Sequence, residues 1–154
     1  MKNVGKKLTN NKKGFTIIEV VLVLAIAGLI FLIVFLAVPA LQRNRRDTQR
    51  RSDLSRFVAQ LENYAANSNG NYPDAGEANS ASFKTDYMDT FRDPSASTGF
   101  YTIQAQQSDN TGVIHYSADA QCNDDGTLDT PAGGARKVAA SIKLEAGRYC
   151  QDNS

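Results

Sequence analysis

Histidine and cysteine are scarce in this 154-residue chain: His115 stands alone, and Cys122 and Cys150 are the only thiols. Two cysteines so far apart, with one histidine, are too few for a dedicated zinc site. A single imidazole inside a strand-like run reads as packed or solvent-facing rather than as a general base. No catalytic constellation is present, so the sequence reads as a non-enzyme with no cofactor. Cys122 to Asp129, with Asp119 nearby, has the composition of a calcium loop, but Gln121 holds the first ligand position and the segment reads as a turn. Charge is the other scarcity. From Phe15 to Leu41 there is no lysine or arginine, and Glu19 is the only ionisable side chain.

What occupies that stretch is a bilayer-length apolar run. Val20 to Leu41 contributes 22 uncharged residues, about 33 Å of helix against a hydrocarbon core of about 30 Å. A buried helix of a soluble protein would rarely be apolar all round for six turns. A secretory signal is the stronger rival, because Val38-Pro39-Ala40 ends in small residues, yet its apolar region runs only about 7 to 15 residues and would not carry Glu19. A carboxylate in such a segment costs roughly 2.5 to 3.5 kcal/mol and calls for a partner. A cut between Gly14 and Phe15 would create one, since the new ammonium of Phe15 would lie one helical turn from Glu19.

Lys12 to Glu19 reads K-K-G-F-T-I-I-E. With its Lys-rich leader, Gly14 before the cleavage point, Phe15 and Thr16 after it and Glu19 four residues beyond Phe15, the chain resembles type IV pilins and the pseudopilins of secretion and competence systems. The resemblance implies that a prepilin peptidase cuts between Gly14 and Phe15 and methylates the new amine. It also implies that Glu19 recruits each subunit into a filament. In that family a proline near Pro39 is associated with a stretch that unwinds in the filament. By its own chemistry, Pro39 removes a backbone donor and clashes with the carbonyl of Phe35, so a helix break is expected there. Gly28, beside Ala25 and Ala27, would let another backbone approach closely.

The leader, residues 1–14, holds five of the 17 basic side chains and no acid, which leaves 12 basic against 16 acidic ones, a balance of −4 for the remainder. That argues against a general polyanion-binding surface. The leader lysines should stay cytoplasmic and send the C-terminus outward. Just past the span, Arg43, Arg45, Arg46, Arg50, Arg51 and Arg56 face only Asp47 and Asp53. They read as a solvated helix face with snorkelling arginines; filament contacts or phosphate binding during DNA uptake are the alternatives.

The fold class expected is α+β, a long N-terminal helix packed on a small antiparallel sheet, the pilin fold. The helix runs from Phe15 to about Ala66, as a membrane or filament-core part (residues 15–41) and an amphipathic part (residues 42–66). Leu54, Phe57, Val58, Leu61 and Tyr64 form one apolar stripe on the latter. Residues 67–98 are rich in Asn, Gly, Ser, Asp and Pro and read as a loop, pinned to the head by Tyr72, Phe83, Tyr87, Met88 and Phe91. Within residues 99–154, three antiparallel strands are expected at Gly99–Ala105, Gly112–Ala118 and Lys137–Leu144, the first two joined by a hairpin loop at Ser108–Thr111. An exported pair of cysteines favours a Cys122–Cys150 disulfide over two free thiols. In the family such a C-terminal, disulfide-bounded region lies on the exposed filament surface.

The function expected is that of a filament subunit for adhesion, twitching motility or DNA uptake, membrane-held before assembly and at the cell surface after it. The implied partners are further copies of the chain, a prepilin peptidase, a platform protein and assembly and retraction ATPases. The alternatives are a pseudopilin of a type II secretion or competence system and a membrane-anchored protein that binds a ligand or calcium.

Overall fold

The structure is a computed structural model that describes residues 14–88, 91–95, 99–130 and 136–153. The leader lysines lie outside the described residues. The chain divides into two compact units, Met1–Ala40 and Leu41–Ser154. One helix, α1 (Ile17–Asn67), contributes to both.

In the first unit no described residue is buried. Phe15, Leu24, Phe31 and Phe35 are all exposed, as are their apolar neighbours all round the helix. A core helix would be mostly covered; this one is long and apolar enough to cross a membrane, and no described residue covers it. α1 runs on through Pro39, the residue at which a kink or local melting is expected.

In the second unit the apolar stripe does what its spacing predicts. Leu54, Phe57, Val58 and Leu61 are buried, and Tyr64 packs against the same core. The helix ends where the amides of Ser68 and Gly70 turn back to the carbonyl of Ala65, at 3.1 and 2.7 Å. The following segment is a folded excursion rather than open loop. It contains α2 (Ala75–Ala78), capped by the Asp74 carboxylate on the amide of Glu77, and α3 (Ala81–Tyr87), capped by the Ser80 hydroxyl on the amide of Phe83. Phe83, Met88 and Phe91 are buried, with Tyr72 and Tyr87 packed at the core's edge.

The strands are β1 (Thr102–Gln104), β2 (Val113–Ala118), β3 (Gln121–Cys122), β4 (Leu128–Asp129), β5 (Val138–Leu144) and β6 (Gly147–Asp152). The main sheet has the order β1-β2-β5-β6, and β3 pairs with β4 in a small ribbon. Two expectations are corrected. The sheet has a fourth strand, β6, which pairs antiparallel with β5. And β1 lies parallel to β2, with Ile103 beside Ile114, so Ser108–Thr111 does not close a hairpin between them. Alternation fixes which face a strand buries but not its direction; Tyr101, Ile103, Ile114 and Tyr116 are buried either way. Direction is set by contacts distant in sequence: the Asn79 side chain accepts from the Ile103 amide at 2.9 Å, and Arg148 of β6 donates to the carbonyl of Ser108 at 2.9 Å, holding the return loop down.

Candidate functional site

The N-terminal tip brings three of the expected site residues together. Thr16 caps α1, and Glu19 stands three residues on, within its first turn. The Glu19 carboxylate oxygen Oε2 accepts from the Thr16 amide at 2.8 Å and from the Thr16 hydroxyl at 2.8 Å, and the Glu19 amide donates to the Thr16 hydroxyl at 3.3 Å. This is a capping box, written in the sequence as T-x-x-E before an apolar run. The missing partner of Glu19 is therefore found before any cleavage: it is the helix N-terminus itself, whose exposed amides and dipole favour a negative charge. The charge-pair reading of the sequence overlooked this spacing.

Gly14 and Phe15 lie just outside the helix, in non-helical backbone. Phe15 is 91% exposed, and among the described residues no atom beyond its chain neighbours comes within 4 Å of where a Cβ on Gly14 would lie. Cutting the Gly14–Phe15 bond places an ammonium next to the capping-box residue Thr16. The carboxylate can then accept from the ammonium of its own chain or of a second copy.

The arginine run is not one solvated face. Arg50 is fully buried; its guanidinium lies 3.2 Å from Asp47 and 3.1 Å from Asp93, and it also donates to the Ser95 hydroxyl. Asp47 in turn accepts from the amides of Glu145 and Ala146, in the turn between β5 and β6, at 2.9 and 3.2 Å. Arg46 pairs with Glu145 at 2.6 Å, and Arg43 approaches the same carboxylate at 3.7 Å. Arg51 and Arg56 lie over the rings of Tyr149 and Phe91. The Arg46 hydrogen bond holds the Glu145 carboxyl below its usual range, whereas burial pushes Asp53, which accepts from the Tyr101 hydroxyl at 3.0 Å, upward. Sequence spacing shows the i,i+3 pair of Asp47 and Arg50; it does not show Asp93, which the fold delivers from the far end of the excursion.

Cys122 and Cys150 are joined by a disulfide that ties β3 to the last strand, β6. The calcium-like segment is the turn between β3 and β4. Asp125 accepts from the amide and hydroxyl of Thr127 at 2.9 and 2.6 Å, and Gly126 has φ +80° with a Cβ position 2.9 Å from the Arg148 carbonyl. Among the described residues no group of three potential ligands is placed to hold a metal. His115 lies in β2 with Nε2 3.0 Å from the Ala105 carbonyl, and burial lowers its pKa.

Compared with known proteins, residues 9–35 match the model of the prokaryotic N-terminal methylation motif. No curated protein and no solved structure matches the chain.

Proposed function

We propose that this chain, which carries the class III leader and N-terminal methylation motif shared by type IV pilins and pseudopilins, is a structural pilin that polymerises through its N-terminal helix into a surface filament. The observation that carries the reading is a single carboxylate at the first turn of an apolar helix that the described residues leave uncovered. Lipid covers such a helix before assembly, and the helices of other copies cover it afterwards. The exchange is close to neutral in hydrophobic terms, because lipid tails are as apolar as leucine, so packing and polar contacts decide it.

Glu19 supplies the polar contact. Capped by Thr16 in the precursor, it gains the ammonium of Phe15 after a prepilin peptidase has removed the leader, and the pair aligns each incoming subunit. A platform protein and assembly and retraction ATPases drive extension and withdrawal, with adhesion, motility or DNA uptake as outputs. The protein acts without catalysis of its own. The disulfide bounds the C-terminal region, as the resemblance to this family implies.

Electron microscopy of cells carrying wild-type and Glu19→Ala chains tests this. Long surface filaments containing the wild-type chain, absent from the variant, are the result expected. Wild-type chain found only in a short periplasmic fibre would assign it to the pseudopilins, and abundant normal filaments from Glu19→Ala would refute the assembly mechanism.

A further inference from the structure

A groove of about 630 Å³ runs along one face of α1 from Leu41, where the apolar run ends. Leu41, Asn44, Arg45, Thr48, Gln49 and Ser52 line it, all exposed. Its lining is amphipathic and rich in neutral hydrogen-bonding groups. At its far end Asp53, the only carboxylate in the lining, is buried and already held by the Tyr101 hydroxyl and Arg56.

Arg45 is the cation that distinguishes this groove. Arg43, Arg46 and Arg50 approach Glu145, Asp47 or Asp93, and Arg51 and Arg56 lie over aromatic rings. Arg45 makes no ion pair or ring contact with any described residue. It stands four residues beyond Leu41, about 6 Å along the helix axis, a rise that matches the polar headgroup layer above the hydrocarbon. The Thr48 hydroxyl donates to the Asn44 carbonyl at 2.8 Å, so a guanidinium at that depth, with the Asn44 amide as a donor and the Thr48 oxygen as an acceptor beside it, fits a phosphate and the hydroxyls of its headgroup.

We propose that this groove holds the headgroup of an anionic phospholipid, with Arg45 on the phosphate, in the leaflet from which the subunit is withdrawn. The inference rests on the membrane-anchored reading above. A single unengaged guanidinium in this groove, on a chain of acidic balance, does not suit duplex DNA, which rewards many cations at once.

The full-length protein, reconstituted into phosphatidylcholine vesicles, is probed by electron spin resonance with spin-labelled phosphatidylglycerol and, separately, spin-labelled phosphatidylcholine. The expected result is a preference of about fivefold for phosphatidylglycerol in the immobilised lipid, the size of effect one basic residue has near an anionic surface. Arg45→Gln abolishes it and Arg43→Gln, whose partner is Glu145, keeps it. No preference in the wild type, a preference unchanged in Arg45→Gln, or equal loss in both variants overturns the site. Duplex DNA binding that depends on Arg45 without lipid preference would also overturn it, in favour of a nucleic-acid contact. Flotation separates the two failures: protein that floats with vesicles but shows no preference refutes only the groove, whereas protein that does not float refutes the anchoring reading as well.

Discussion

The Glu19 carboxylate and Thr16 are locked in a reciprocal capping box, two hydrogen bonds at 2.8 Å arriving at one carboxylate oxygen. Glu19 thus has two separable roles, a cap that needs a hydrogen-bond acceptor and a charge that needs an ammonium. Glutamine can perform the first and not the second. Glu19→Gln should therefore be processed at Gly14–Phe15 and inserted normally, yet assemble as poorly as Glu19→Ala. Filament yield in sheared surface fractions of the two variants checks this; near wild-type yield from Glu19→Gln would reduce the residue to a helix cap.

Arg50 is fully buried between Asp47 and Asp93. Arg50→Met removes the cation and leaves two buried carboxylates facing each other, a loss of about 3 to 5 kcal/mol when one partner of a buried pair is removed. Urea unfolding of the detergent-solubilised full chain should show it. The exposed Arg45→Gln should change stability by less than about 0.5 kcal/mol.

Much of this arrangement is legible in the sequence, and the boundary is physical. The apolar run, the Leu54 to Leu61 stripe and the Cys122–Cys150 pair are local patterns or simple arithmetic, and the structure carries each of them. The T-x-x-E box at Thr16 is equally local, a capping signature that the search for a charge partner of Glu19 does not look for. The burial of Arg50 depends on Asp93, 43 residues away, and the parallel direction of β1 on Asn79 and Arg148. No periodicity encodes such contacts. β6 is hidden for another reason: Gly147-Arg148-Tyr149-Cys150-Gln151-Asp152 has few strand formers, and its pairing with β5 and its disulfide make it a strand.

Glu145 gives the head a pH dependence of known sign. Its carboxyl is held low by Arg46, so its contribution is present above the unfolded-state value and is lost as pH falls through the folded one. Between about pH 5 and pH 3, the melting temperature of the wild type should fall further than that of Glu145→Gln. Asp53, raised by burial, works in the opposite direction, and it is common to both proteins and cancels in the comparison.

Gly126 has φ +80°, and its Cβ position lies 2.9 Å from the Arg148 carbonyl. Gly126→Ala should cost about 1 to 3 kcal/mol through backbone strain, with the loss read from the same urea curves. An unshifted midpoint would mean that the β3–β4 turn moves freely off β6.

The disulfide between Cys122 and Cys150 closes a long loop around β5. In the chain-entropy model its removal costs about 3 to 4 kcal/mol. A Cys122→Ser/Cys150→Ser chain should unfold at correspondingly lower urea, and reductant should lower the wild-type midpoint without affecting that of the double variant.

The central claim is that the chain is cut between Gly14 and Phe15 to give Glu19 an ammonium partner. The intact mass of protein extracted from membranes or filaments, with its N-terminal peptide sequenced, tests this most directly. The account predicts a chain that starts at Phe15 and carries one added methyl group. An uncut Met1 chain, or a start at Leu41, would leave Glu19 without its amine or remove it altogether, and would contradict the account.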